Sequence, residues 1–176
     1  MLTLDEWINL AWNGLKADAP NLAIRNEADL KCHLFSRLLA VKKDISQNYM
    51  IHSEVSFPHD AERDRIIVDL VIAIDGMIVA AIELKCTRDP VFEGDLENLC
   101  KLRDAAKVRE CISRSSAPGS QKPLKFTESV LLYYCSFCAT GAISSYPEHM
   151  HEKMKKKGFI STDIRTPDAI VIDSSK

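Results

Sequence analysis

The sequence lacks any apolar run of the roughly 18 to 20 residues that a membrane-spanning helix needs. Its first residues, MLTLDEWINLAWNG, lack the basic flank that precedes the apolar core of a signal peptide. Internal repeats and low-complexity stretches are also missing. From these absences we expect a cytoplasmic globular protein without membrane contact, in which residues 1–176 form one domain.

An excess of either charge is also missing. The 23 Lys and Arg residues stand against 25 Asp and Glu residues, for a formal net charge of −2. A protein that holds nucleic acid only through a general basic surface is usually more basic. Any contact with nucleic acid must therefore come from a local basic patch.

A second cysteine pair is missing as well. The chain has six cysteines but one CxxC, at Cys135–Cys138, without a further ligand pair at the spacing of a zinc site. Free cysteine is among the most buried residue types, and cytoplasmic thiols stay reduced. We interpret the cysteines as buried or partly buried free thiols.

What the sequence does contain is a regular succession of helix and strand patterns. Thr3 and Glu6 form a capping-box pattern, and Asn26 is the N-cap candidate of a second helix. Helices are predicted at 4–17, 27–43, from 91–95 to 114, and 145–158, and strands at 48–58, 65–74, 77–86, 128–137 and 168–173. The order α-α-β-β-β-α-β-α-β predicts an α/β fold, with a mixed β-sheet flanked by helices on both faces.

Two of the predicted strands meet at the turn dipeptide Asp-Gly at 75–76, a strong hairpin signal. Alternation along a strand places Glu83 and Lys85 on one face. A two-residue loop would put Asp69 on the other face, as an unpaired charge on an apolar surface. A three-residue loop with a left-handed glycine puts Asp69 opposite Ala81 instead. We therefore predict the three-residue loop, with Asp69 and Glu83 as diagonal neighbours that can share a divalent cation.

The pattern resembles the PD-(D/E)xK nuclease superfamily, which has the restriction-endonuclease-like fold. The matching residues are Asp69, thirteen intervening residues, and the triplet Glu83-Leu84-Lys85. The order α-β-β-β-α-β over about residues 26–138 is similar to the core of that superfamily, with helix 4–17 as an addition and 145–173 as a C-terminal extension. Many members carry a further acid on the helix before the first core strand, and Glu27 matches that position.

The resemblance implies a magnesium- or manganese-dependent endonuclease or exonuclease. Asp69, Glu83 and Glu27 would bind the metal, and Lys85 would assist the attacking water as a further catalytic residue. DNA is the expected substrate and RNA the alternative, with a homodimer or a partner protein supplying specificity. Candidate phosphate contacts are Lys101, Arg103, Lys107, Lys155 and Lys156.

Simpler interpretations of these residues stay open. Glu83 and Lys85 can mark a strand end that enters water, and Glu27 can serve the dipole of its helix. Glu54 is a further candidate ligand, for which a solvated strand residue is the preferred interpretation. A second acid-x-Lys triplet, Asp29-Leu30-Lys31, lies in a predicted helix, where we do not expect a site.

Two other functional classes stay open for the whole chain. One is a catalytically inactive module of the same fold that binds nucleic acid or protein. The other is a structural α/β domain, which would require Asp69 to be exposed.

Overall fold

The computed structural model describes residues 2–42, 47–58, 65–87, 112–113, 124–138, 164–165 and 170–171. Within these ranges the chain is a mixed α/β protein in which two helices pack on one mixed sheet. None of the helices in these ranges combines the length and the apolar composition needed to cross a membrane.

Two helices, α1 (Leu4–Asp18) and α2 (Glu27–Val41), precede the sheet. Both begin as predicted, because Thr3 and Glu6 form a complete capping box and the Asn26 side chain accepts a hydrogen bond from the Asp29 backbone. Their apolar stripes face the core through eight buried residues: Trp7, Ile8, Ala11, Trp12, Leu15, Leu30, Leu34 and Leu38. The Trp7 indole joins the two helices by donating to the Leu38 carbonyl at 3.0 Å.

The sheet contains four long strands, β1 (Met50–Pro58), β2 (Arg65–Ile74), β3 (Met77–Thr87) and β5 (Lys125–Cys138). Three two-residue strands extend it, namely β4 (Ile112–Ser113), β6 (Ile164–Arg165) and β7 (Ile170–Val171). The order is β4-β1-β2-β3-β5-β6, with β7 also paired to β5. The pairs β1–β2 and β2–β3 are antiparallel, whereas β3 and β5 run parallel, so the sheet is mixed as predicted.

One face of the sheet carries the core against α1 and α2. Its strand residues include Leu70, Ile72, Ile82 and Leu84, each 0 % exposed. Alternation along β2 and β3 explains this face, because these residues are separated by two positions along their strands. The prediction of one wholly apolar face on this hairpin is therefore confirmed for its central residues.

The three-residue loop predicted for this hairpin is wrong. Ile74 pairs with Met77, so the turn has two residues, and both of them have positive φ, 51° at Asp75 and 80° at Gly76. The irregularity lies deeper, between Ile72 and Ala73, where β3 carries one extra residue, Val79. A β-bulge of this kind restores the alternation that a two-residue turn alone would have reversed.

Other element predictions also need correction. Ile112–Ser113, predicted as the end of a helix, is a strand that pairs with β1. Ile170–Val171 is a strand, as predicted, and the rest of the strand predicted at 168–173 lies outside the described residues. Residues 112 and 113 form a strand because they pair with a segment distant in sequence, and helical periodicity does not predict such a pairing. The remainder of the helix predicted from 91–95 and the helix predicted at 145–158 lie outside the described residues.

Candidate functional site

Asp69 and Glu83 are the centre of the candidate site. The pairing of β2 with β3 runs from Ile74–Met77 to Leu70–Ile82, and one step further along this register Asp69 lies across from Glu83. Asp69 is 7 % exposed and Glu83 8 %, so both carboxyl groups are buried. The predicted partner of Asp69, Ala81, lies opposite Val71 instead. The two acids therefore share a face, as predicted, but as direct neighbours rather than diagonal ones.

The Asp69 carboxylate is held from two sides. Its Oδ2 accepts a hydrogen bond of 2.9 Å from the Leu84 backbone N–H, which fixes the side chain between the two strands. Its Oδ1 lies 3.2 Å from Nζ of Lys31, which reaches over from α2. These two contacts offset part of the cost of burying a polar side chain at this position.

Glu54 adds a third carboxylate at the same level of the sheet. It lies on β1 across from Asp69, between the pairs Ser53–Leu70 and Val55–Val68. Its backbone is left-handed, with φ of 53°, although glutamate has no special tolerance for this conformation. The Lys31 ammonium contacts Glu54 as well as Asp69. The strained backbone therefore accompanies a side chain that belongs to the charged cluster.

Lys85 and Glu27 form a second pairing between β3 and α2. Nζ of Lys85 lies 3.7 Å from Oε2 of Glu27. Glu27 and Lys31 are four residues apart on α2, so they project from the same side of that helix. One side of α2 therefore places a carboxylate near Lys85 and an ammonium group near Asp69.

Cys135 lies beside this cluster on β5, opposite Leu84 in the parallel pair. Its thiol is buried, and burial raises its pKa well above the ordinary range, with the nearby Asp69 charge raising it further. A thiol in this environment stays protonated and does not act as a nucleophile.

The donor set suits a hard divalent cation, which prefers carboxylate oxygens. In the part of the chain that the structure describes, no three His, Cys, Asp or Glu side chains are already arranged as a metal-binding group. Instead, the Lys31 ammonium lies against two of the carboxylates. The residues thus fit a metal by type, and a bound ion would have to share or take the place of the Lys31 charge.

The four predicted catalytic residues lie in two pairs: Asp69 is across from Glu83 along the β2–β3 register, and Nζ of Lys85 lies 3.7 Å from Oε2 of Glu27. Asp69 does not have the exposure that a purely structural domain would require. The predicted phosphate contacts Lys101, Arg103, Lys107, Lys155 and Lys156 all lie outside the described residues.

Two members of the cluster lie outside the four predicted catalytic residues. The sequence predicts no site at Lys31, because its acid-x-Lys triplet lies on a helix, and it offers Glu54 as a candidate ligand for which a solvated strand residue is the preferred interpretation. The signal for Lys31 was its spacing of four residues from Glu27, which places both on one side of α2. For Glu54, no signal in the sequence indicates a left-handed backbone.

Comparisons with protein-family models, with curated proteins and with solved structures find no match for this chain.

Proposed function

We propose that this chain is a metal-dependent nuclease with a restriction-endonuclease-like fold, which hydrolyses phosphodiester bonds, with DNA as the expected substrate. One observation carries the proposal: two buried acids, Asp69 and Glu83, lie across from each other on adjacent strands, with Lys85 two residues further on. Like charges directly opposite on a sheet destabilise it. Asp69 and Glu83 would hold a divalent cation, whose charge would offset that repulsion.

Each residue has a distinct role in this proposal. Asp69 and Glu83 would hold a Mg²⁺ or Mn²⁺ ion, with Glu27 as the third acid, from α2. A bound ion would supply polarisation of the phosphodiester and a more acidic water molecule. Lys85 orients the water or stabilises the charge that develops on the phosphate, since a fixed cation at that place acts mainly in the transition state. The Leu84 N–H keeps the Asp69 carboxylate in position.

The test is cleavage of supercoiled plasmid, linear DNA and RNA with Mg²⁺ or Mn²⁺. We expect Asp69→Asn and Lys85→Met to lower the rate by about 10²-fold or more, the usual loss when a transition-state charge partner is removed. Asp75→Asn removes an acid from the exposed turn of the same hairpin, and Lys125→Met removes an exposed lysine from β5, so both serve as matched controls.

Two results would contradict the proposal. The first is a folded wild-type protein that leaves every substrate intact over a range of metal and salt concentrations. The second is cleavage by Asp69→Asn at the same rate as by Asp75→Asn, which would assign the activity to a contaminant. Far-UV circular dichroism and the melting temperature of each variant show whether it is folded.

A second candidate is a module of the same fold that binds nucleic acid without cutting it. The observation that favours it is the pairing of Asp69, whose two oxygens already contact Lys31 and the Leu84 N–H. Gel-shift assays in EDTA distinguish the two candidates. Binding that needs no divalent ion and is unchanged in Asp69→Asn, without cleavage under any condition, supports the module.

A further inference from the structure

We propose that Lys31 is a built-in counter-ion of the candidate metal site, and that its ammonium competes with the divalent cation for Asp69 and Glu54. This inference rests on the proposed function, because it concerns the affinity of the same site for metal. Removal of the Lys31 charge should therefore strengthen metal binding by more than removal of a lysine outside the cluster does.

The placement of Lys31 carries the first step. Its Nζ contacts carboxylates from two different strands, at 3.2 Å from Oδ1 of Asp69 and in direct contact with Oε1 of Glu54. The Lys31 side chain is 19 % exposed and that of Asp69 10 %, so water screens this contact only weakly. An oxygen-rich place between two such carboxylates is where a hard cation would bind.

The two carboxylates differ from Lys31 in how firmly they are held. Oδ2 of Asp69 is tied to the Leu84 N–H at 2.9 Å, and Glu54 projects from a left-handed residue inside β1. The Asp69 carboxylate is therefore fixed by the sheet, whereas the Glu54 side chain, held at its backbone, is 42 % exposed. Lys31 instead has a flexible four-carbon stem and a compact charge that can find another position.

Competition follows from these two facts. An ammonium and a divalent cation repel each other strongly at a few ångströms in a partly buried place. Because the Asp69 carboxylate stays in place, Lys31 is the group that moves when metal binds. Without metal, Lys31 offsets part of the negative charge of the two carboxylates and lowers the cost of burying Asp69.

The experiment measures Mn²⁺ binding to the full chain by isothermal titration calorimetry, and the rise of the melting temperature on addition of Mn²⁺. Lys31→Met keeps the length of the stem and removes the charge. Lys31→Gln is a second uncharged variant in case the first folds poorly, and Lys31→Arg keeps the charge. Lys16→Met, on α1, controls for the general loss of one positive charge.

We expect Lys31→Met and Lys31→Gln to bind Mn²⁺ about 10-fold more tightly than wild type, the size of a typical coupling between two ligands. Lys31→Arg and Lys16→Met should bind as wild type does. The melting temperature of the uncharged variants should be lower without metal and should rise more when Mn²⁺ is added, because the ion then neutralises the acids.

The failures are distinguishable. Equal or weaker Mn²⁺ binding by the uncharged variants overturns the counter-ion role and leaves the metal site intact, as does an equal gain in Lys16→Met. Absence of Mn²⁺ binding in every variant overturns the metal site, and the counter-ion role with it.

Discussion

Glu54 is an unusual residue for its backbone conformation. A left-handed backbone costs a residue with a Cβ about 1–2 kcal/mol relative to the right-handed regions, and glycine escapes that cost. Glu54 adopts this left-handed conformation, with φ of 53°, inside a strand and in contact with the Lys31 ammonium. Strain of this kind persists where the surroundings hold the residue in place, and it concentrates at functional sites.

Substitutions at position 54 separate strain from charge. Glu54→Gly and Glu54→Ala both remove the carboxylate, but glycine relieves the backbone and alanine does not. We expect the glycine variant to be more stable than the alanine variant by about 1 kcal/mol. This difference already includes the extra conformational entropy that glycine loses on folding. Urea unfolding measures the difference, and an alanine variant as stable as the glycine variant would show that position 54 is not strained.

At this scale the sequence predicted part of the site. Glu83 and Lys85 share a face because strand side chains alternate, and that rule needs no tertiary information. Lys31 joins the cluster only because α2 crosses the sheet at the level of Asp69, and its own neighbours in sequence do not report this crossing. A lysine can reach a carboxylate on any element that passes within the length of its stem.

The β2–β3 hairpin shows how one element decides which residues meet. Its turn has two residues of positive φ at Asp75 and Gly76, the conformation that favours Asp-Gly. The bulge at Val79 then shifts β3 by one residue, so that Asp69 meets Glu83. Sequence reasoning predicted the shared face of the acids but assigned the irregularity to the turn. The cost of burying Asp69 on the apolar face requires an extra residue in the hairpin, but it does not determine the position of that residue.

Two glycines should respond to alanine with opposite signs. Gly76 has φ of 80° and no atom within 4 Å of an added Cβ, so Gly76→Ala suffers from backbone strain alone and should destabilise by about 1 kcal/mol. Gly14 lies inside α1, where an added Cβ would make an ordinary contact of 3.8 Å with Arg37. Gly14→Ala should stabilise by about 0.5–1 kcal/mol because alanine is the better helix former.

Thermal and urea unfolding of both variants test this pair. Equal effects of the two substitutions, or a destabilised Gly14→Ala, would contradict the conformations assigned to the turn and to α1. Because the two changes add the same methyl group, a general effect of alanine on the unfolded chain cancels in the comparison.

At the scale of the whole molecule, the stability of the folded state at acidic pH should depend on His52. This residue lies on β1, and its Nε2 is buried without a hydrogen-bond partner among the described residues. Burial lowers the pKa of His52, because a charged imidazolium is poorly solvated there. The folded protein therefore takes up this proton at a lower pH than the unfolded chain does.

The sign of the pH effect follows from proton linkage. Below about pH 6.5 the unfolded chain binds the proton and the folded chain does not, so acid favours unfolding. The melting temperature should fall as the pH falls below about 6.5, until the folded His52 is itself protonated. His52→Gln should reduce that fall between pH 7 and pH 5.5. His33→Gln, the same change on α2, is the control, and an equal reduction there would assign the effect to something other than β1.

The sequence by itself determined both N-terminal helices, the four long strands and the common face of Glu83 and Lys85, because capping, periodicity and alternation are local rules. Only the tertiary structure decided three other features: the bulge at Val79, the strand pairing of Ile112–Ser113, and the place of Lys31 between Asp69 and Glu54. Each of these depends on which distant segment lies alongside. The free energy of such a contact depends on both elements that make it, and the sequence pattern of one element does not identify the other.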